Sequence, residues 1–176
     1  PIVLFMFGWT KLWVAFLCTV AVAFGIYCFF MNIETSAYEE KDCVIYINVY
    51  VLVCSIVFLL MIGYYAGWGR WVTQTSDWSK HNAIISDLVN KSWPVYYNNG
   101  NEHSMLTYYI AQYLFPAFVG KLCNSFRVAE VVNYIWAEIG LILVYLNLIR
   151  VLKIKKVGIQ LVALVTLVFF CGPLLM

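Results

Sequence analysis

The residues best suited to chemistry lie in one polar stretch, Gln74 to Gly100. Within it, Asp77, Lys80 and His81 fall at positions i, i+3 and i+4, so a helix places their side chains on one patch of its first turn. A carboxylate beside a cation and an imidazole can act as a general base next to an anion-binding group. A helix cap also explains Ser76 or Asp77 here, and spacing alone favours that plainer interpretation.

Two further candidates are ionisable residues outside this patch. Arg70 lies between two tryptophans just before the polar stretch. Glu138 lies in the middle of an apolar run, where an ionisable group is costly and by default marks a functional site or an internal partner. Glu130 and Tyr134 precede Glu138 at i+4 spacing, so the three share one stripe of a helix.

A polar aromatic face is expected where the chain returns to apolar sequence. It contains Tyr108, Tyr109, Gln112, Tyr113 and Pro116. Packing against a neighbouring helix explains such a face, and so does a groove that binds substrate through Tyr108 and Tyr109. Both interpretations remain open from the sequence.

Metal and cofactor chemistry is not indicated by any motif. The six cysteines lie in or beside apolar runs, include no C-x-x-C and have no His at ligand spacing. We therefore expect them to be small buried apolar side chains, and we expect chemistry without a metal or a cofactor.

Composition places these candidates in a membrane protein. Hydrophobic residues make up 64% of the chain and charged residues 11%, with a mean hydropathy of +0.83. The net charge of +2 is too small to suggest a nucleic-acid partner. Because the chain is so apolar, membrane lipid is the expected partner. The chain begins at Pro1 and ends at Met176 inside an apolar run, so we expect a fragment of a longer protein.

Five apolar segments approach the length of about 20 residues that a membrane-spanning helix needs. They are residues 13–31, 44–66, 105–123, 129–149 and 157–176. Because backbone groups in lipid must be paired within a span, the fold class predicted is all-α: a polytopic transmembrane helical bundle, forming one multi-pass domain in the cell membrane. No internal repeat or low-complexity segment divides the chain. An acidic connector joins the first two spans and contains Glu34, Glu39, Glu40, Lys41 and Asp42.

Residues 67–104 form the polar loop that carries the first patch. Trp78, His81, Ile85 and Leu88 recur at i, i+3, i+7 and i+10, which predicts an amphipathic helix lying in the membrane interface. With five crossings, this loop and the basic connector at residues 150–156 share one side, and the positive-inside rule places that side in the cytoplasm. This orientation requires the proline-containing third segment to cross fully.

The loop and its flanks resemble a known family. "SDWSKHNAIISDLVNKSWPVYY", followed by "SMLTYYIAQYLFPAFVGKLC" and "AEVVNYIWAEIGLILVYLNLIRVLK", is similar to the amino-terminal part of bacterial polytopic membrane proteins resembling the GT-C glycosyltransferases, which use polyprenyl-phosphate-linked sugars. In that superfamily an extracytoplasmic loop holds interface helices and a catalytic Asp near its start. The resemblance spans roughly residues 67–153 and implies that Asp77 is this acid.

The resemblance also implies roles for the other candidates. Asp77 and His81 would be catalytic, with Asp77 deprotonating an acceptor hydroxyl as it attacks the sugar. Lys80, His81 or Arg70 would neutralise the departing phosphate, and the polyprenyl tail would lie along the face that begins with Tyr108 and Tyr109. The implied function is transfer of a sugar from a polyprenyl-phosphate carrier in cell-envelope glycan synthesis.

Two functions of other classes fit the same sequence. A transporter or flippase for a lipid-linked or anionic solute would use Glu138 as its coupling acid and perform no catalysis. A structural membrane subunit would use the polar loop to dock a partner protein. Substitutions of Asp77 and of Glu138 separate the first of these from a transferase.

Overall fold

The computed structural model describes residues 1–35, 47–99 and 102–170, and within them the chain is mostly helical. The helices are α1 (Ile2–Trp9), α2 (Leu12–Thr35), α3 (Val49–Tyr65), α4 (Asp77–Asn90), α5 (Ala111–Leu122), α6 (Phe126–Val151) and α7 (Val157–Phe170). A short 3-10 turn, Trp68–Arg70, follows α3. Two strands, β1 (Tyr96–Asn99) and β2 (Glu102–Met105), pair antiparallel. The prediction of a helical fold is confirmed.

In the described part of the chain, two helices are long and apolar enough to cross a membrane. They are α2, over Leu12–Met31, and α6, over Phe126–Val151. Helices α3 and α7 are apolar but shorter, with 17 and 14 described residues. Most of α2 is exposed in the isolated chain; Phe16, Leu17 and Phe24 each expose 60% or more of their surface. A helix that is apolar and exposed on several faces is suited to contact with lipid, so α2 supports membrane association.

The predicted span at residues 105–123 is corrected by the structure. Helix α5 begins only at Ala111 and has 12 residues, a length of about 18 Å against the roughly 30 Å of a hydrocarbon core. The preceding residues continue the β ribbon instead. Met105 pairs with Tyr96, and the Leu106 amide donates to the Val95 carbonyl at 2.9 Å.

The expectation for the cysteines is partly wrong. Cys18, Cys28, Cys54 and Cys123 are free thiols, and the last two are exposed, Cys54 on α3 and Cys123 at the C-cap position that follows α5. Cys43 and Cys171 lie outside the described residues, as do most of the acidic connector and the end of the fifth predicted span.

Contacts divide the chain into two compact units. Unit 1 comprises Pro1–Glu39 and Ile84–Ala129, and unit 2 comprises Glu40–Ala83 and Glu130–Met176. The division passes through the middle of α4 and near the start of α6, so α4 contributes one half to each unit and most of α6 belongs to unit 2.

Unit 1 is built around the second half of α4 and helix α5. Its buried core consists of Ile84, Ile85, Leu88, Val89, Val95, Ile110, Tyr113, Leu114, Ala117 and Ala129. Helix α1 packs onto the segment after α4, with Trp9 and Trp93 ring centroids 5.4 Å apart. The apolar stripe predicted for α4 is therefore real. Protein side chains cover the part of it that lies in this unit, so that part needs no lipid to bury it.

Unit 2 packs α3 and α7 with the second part of α6. Its core consists of Leu59, Tyr145, Ile149, Leu164, Leu167 and Val168. Two buried side chains and a backbone carbonyl form a hydrogen-bonded chain within it. Ser55 Oγ donates to the Tyr145 hydroxyl at 3.2 Å, and that hydroxyl donates to the Gln160 carbonyl at 3.4 Å.

Candidate functional site

The connection from α3 to α4 adopts a backbone that few residues tolerate. Gly67 and Gly69 have φ of 91° and 73°, and Arg70 has φ of 55°. A Cβ at Gly69 would lie 2.6 Å from the Trp71 ring, so glycine permits a close approach there. A left-handed arginine is uncommon and costs conformational energy, which makes this turn a defined feature rather than a loose loop.

Trp78 fixes the start of α4 to this connection. Its side chain is only 4% exposed, and its Nε1 donates to the Ala66 carbonyl at 3.0 Å. The ring packs edge-on against Trp68, with centroids 5.3 Å apart. Gln74 Nε2 donates to the Gly67 carbonyl at 2.7 Å, and Asn82 Nδ2 donates to Gln74 Oε1 at 2.7 Å. These contacts hold the first turn of α4 in place on one face.

Asp77 and Lys80 lie on the exposed face of the same turn. Among the described residues, no hydrogen bond or salt bridge to the Asp77 carboxylate is found. The turn is closed by other groups, since the Trp78 and Ser79 amides donate to the Thr75 and Ser76 carbonyls. Asp77 therefore does not cap the helix through a hydrogen bond, although its charge still suits a helix start.

His81 is half-buried beside these two residues, with its ring 5.7 Å from that of Trp78. Burial, and next the charge of Lys80, lower the pKa of His81 from its ordinary 6.5, while the charge of Asp77 acts in the opposite direction. The structure thus brings Asp77, Lys80 and His81 together as the spacing predicts. The imidazole is neutral at pH 7, so it can donate from one ring nitrogen and accept at the other.

We expect this environment to appear in a titration of His81. Because the folded protein has the lower pKa, the unfolded chain binds the extra proton first, and stability falls as pH drops below 6.5 toward the folded pKa. Above 6.5 the contribution is constant. Nuclear magnetic resonance of ring-labelled histidine, assigned with His81→Gln, measures this pKa. A value at or above 6.5 would contradict the expected environment.

Arg70 has a partner that sequence reasoning missed. Its Nη1 lies 3.4 Å from Oε1 of Glu130, whose side chain is 4% exposed, while the Arg70 side chain remains 57% exposed. A buried carboxylate needs a counter-charge, and the arginine supplies it without losing its own access to solvent. The two residues are 60 positions apart, so no local pattern indicated this pair.

Glu138 lies on the same stripe of α6 as Glu130 and Tyr134, as predicted. Tyr134 donates its hydroxyl to the Leu60 carbonyl at 2.8 Å, and its ring packs against Trp71 with centroids 4.8 Å apart. The Glu138 carboxyl contacts Gly63 of α3 so closely that a Cβ there would overlap Oε1. Its other oxygen, Oε2, is buried and has no hydrogen-bond partner among the described residues.

Tyr108 and Tyr109 lie in unit 1, in the segment before α5 rather than on a spanning helix. They line a cleft of about 440 Å³ together with Phe5, Trp9 and residues 105–107 and 110. Tyr113 and Pro116, by contrast, are buried in the core. The predicted polar face is thus divided. Tyr108 and Tyr109 border an open cleft, whereas Tyr113 and Pro116 pack in the core.

A second polar cluster on α4 is satisfied internally. Lys91 Nζ lies 2.9 Å from Asp87 Oδ1, an i,i+4 ion pair, and the Tyr97 hydroxyl donates to Asp87 Oδ2. That hydrogen bond, then burial and the charge of Asp87, raise the pKa of Tyr97 to about 12. Asp87 thus stabilises the contact between α4 and the hairpin, in contrast to Asp77.

Comparison with protein families, curated proteins and solved structures found no match to this chain. Within residues 1–35, 47–99 and 102–170, no group of three or more His, Cys, Asp or Glu side chains is arranged to hold a metal ion.

Proposed function

We propose that the chain is part of a polytopic membrane glycosyltransferase that transfers a sugar from a polyprenyl-phosphate carrier to a hydroxyl acceptor, as the GT-C resemblance implies. The observation that carries this proposal is the Asp77 carboxylate. It is exposed, has no hydrogen-bond partner among the described residues, and lies on a turn that Trp78 holds rigidly from the other face. A general base needs this combination of access and fixed position.

The neighbouring groups suit the reaction. Asp77 takes the proton of the acceptor hydroxyl while that oxygen forms a bond to the anomeric carbon, and the bond from this carbon to the phosphate oxygen breaks. The carrier leaves as polyprenyl phosphate, whose charge Lys80 and Arg70 neutralise. Neutral His81 can donate a hydrogen bond to substrate from one ring nitrogen.

The short α5 changes the argument about orientation. With five crossings, eight of the 11 Lys and Arg residues lie on the side of the polar loop. These eight are Lys11, Arg70, Lys80, Lys91, Arg150, Lys153, Lys155 and Lys156. If α2, α3 and α6 cross and α5 does not, Lys121 and Arg127 join the loop side, and the basic connector moves to the opposite side. The division becomes six against five, which removes the bias toward a cytoplasmic loop. An extracytoplasmic loop is then compatible with the charges.

Single-cysteine labelling tests this placement. The six native cysteines are replaced by serine or alanine, and one cysteine is introduced either at exposed Ser79 or at Lys155 in the basic connector. We expect a membrane-impermeant maleimide to label Ser79→Cys in intact cells. Lys155→Cys should react only after permeabilisation.

The opposite labelling pattern would overturn the proposal, because a carrier-dependent transferase of this type works outside the cytoplasm. Labelling of both positions in intact cells would also contradict it, since α6 would then fail to cross. Transfer from a synthetic polyprenyl-phosphate sugar to a hydroxyl acceptor by the purified protein in lipid vesicles is the direct measure of activity.

A further inference from the structure

Glu138 is a buried acid that the proposed transfer reaction does not use and that, unlike Glu130, has no arginine paired with it among the described residues. It lies midway along α6, about 18 Å from the start of that helix at Phe126. The residue is 3% exposed, and its Oε2 atom is buried without a hydrogen-bond partner among the described residues. An unsatisfied buried polar atom is rare in folded proteins and calls for an explanation in terms of a ligand or a function.

Among the described residues, the helices around Glu138 provide no counter-charge. On α6 the ionisable neighbour is Tyr134, whose hydroxyl is engaged with the Leu60 carbonyl. Between Val49 and Tyr65, helix α3 carries no Asp, Glu, Lys, Arg or His, and its ionisable side chains are three tyrosines and Cys54. Helix α7 has no ionisable side chain between Val157 and Phe170. Arg70, the nearby cation on the 3-10 turn, is paired with Glu130.

The contact between α6 and α3 leaves space for the Glu138 carboxyl group. Gly63 is buried in α3, and the Glu138 carboxyl occupies the space that a side chain at position 63 would fill. The stripe continues toward Ser55 and Tyr145, which are hydrogen-bonded to each other inside the same unit. A leucine at position 138 would pack this region without an orphaned oxygen, so packing alone does not account for an acid here.

These observations indicate whether the Glu138 carboxyl group is suited to a metal ion or to a proton. Ca²⁺ and Mg²⁺ take about six or more oxygen ligands, and Zn²⁺ takes about four ligands, most of them His, Cys or acidic side chains. Glu138 is not part of a group of three or more such side chains among the described residues. A proton needs a single oxygen, and Oε2 provides one. We propose that Glu138 is a proton-binding site inside α6, and that its occupancy depends on the contact between α6 and Gly63 of α3.

In the packed arrangement the proton neutralises the carboxyl group and makes its burial tolerable. When α3 moves away from Glu138, water reaches the group and the proton leaves to that water as hydronium. The protein thereby gains a proton-dependent step that is separate from the chemistry at Asp77. This inference rests on the membrane-spanning α6 of the proposed function and not on sugar transfer.

Infrared spectroscopy of the protein in lipid vesicles tests the site. We expect wild-type protein at neutral pH to show the carbonyl stretch of a protonated carboxyl group, and labelling glutamate with ¹³C should shift it. Glu138→Gln, which is nearly isosteric, should abolish the band. Glu130→Gln is the matched control and should retain it, because Glu130 is a carboxylate paired with Arg70.

Gly63→Ala tests the dependence on helix contact. A Cβ at this position displaces the carboxyl group, so the band should shift in frequency or lose intensity. Absence of the band from wild-type protein, its survival in Glu138→Gln, or an unchanged spectrum in Gly63→Ala would each overturn the inference. If Glu138→Gln does not fold, isotope-labelled wild-type protein still decides whether a glutamic acid is protonated.

The two proposals fail independently. A missing carboxyl band alongside loss of transfer in an Asp77 variant removes only the proton site. A Glu138-dependent band alongside full transfer in an Asp77 variant removes only the proposed transferase mechanism.

Discussion

Asp77→Asn is expected to reduce sugar transfer by roughly 10²- to 10⁴-fold in kcat, the usual contribution of a general base. KM for the lipid-linked sugar should change little, because the base acts in the transition state and the amide occupies the same space. The protein should remain folded, since the Asp77 carboxylate makes no hydrogen bond within the described residues. Steady-state transfer by purified protein in vesicles, with a defined carrier, measures both constants.

Asp87→Asn is the matched control for this variant. It makes the same chemical change ten residues along the same helix, but Asp87 is already bonded to Lys91 and Tyr97. We expect it to weaken the contact between α4 and the hairpin while leaving kcat within a few-fold of wild type. Full activity in Asp77→Asn, or an equal loss in both variants, would contradict a base at Asp77 and favour a transporter or structural role.

Trp78→Ala should have the largest effect on stability of any single substitution in the polar loop. The side chain is 4% exposed and its Nε1 is bonded to the Ala66 carbonyl, so truncation leaves a cavity and an unpaired carbonyl. Losses of about 3–5 kcal/mol are typical of buried aromatic residues replaced by alanine. Because Trp78 fixes the turn that carries Asp77, transfer should fall even where the protein stays folded. Thermal unfolding in detergent and kcat report the two effects.

Two control variants separate packing from the hydrogen bond. Trp78→Phe keeps most of the ring and removes the donor, so it should cost about 1–3 kcal/mol, the range for an orphaned acceptor. Trp13 is 65% exposed on α2, and Trp13→Ala should stay within about 0.5 kcal/mol of wild type. A Trp78→Ala protein as stable and as active as Trp13→Ala would show that Trp78 does not position Asp77.

Much of the helical architecture follows from local sequence. The apolar run from residue 13 predicts α2, and the spacing of Trp78, Ile85 and Leu88 predicts α4, because each depends on periodicity within one helix. The proximity of Asp77, Lys80 and His81 follows for the same reason. Local spacing also predicts that Glu130, Tyr134 and Glu138 share a stripe.

The features that sequence missed depend on contacts between distant segments or on weak local signals. Three contacts can be seen only in the folded chain. They are the Arg70–Glu130 pair, the fit of Glu138 against Gly63, and the hydrogen bond from Trp78 to the Ala66 carbonyl. The hairpin did leave a trace in the sequence, since Asn-Gly-Asn between two short segments is a turn signal, but hydropathy began a membrane span at Met105, the last residue of the second strand. That error lengthened α5 and, through it, biased the predicted orientation.

The two-stranded hairpin limits how deeply the polar loop can enter a membrane. In the described part of the chain its sheet has only two strands, so each strand has an outer edge whose backbone groups lack sheet partners. Hydrocarbon offers those groups nothing to bond, whereas water does. Strands β1 and β2 must therefore lie in the aqueous phase or among headgroups. Since α5 begins six residues after Met105, its first turn starts close to that water boundary. A bilayer placed around the helices must leave β1 and β2 in contact with water.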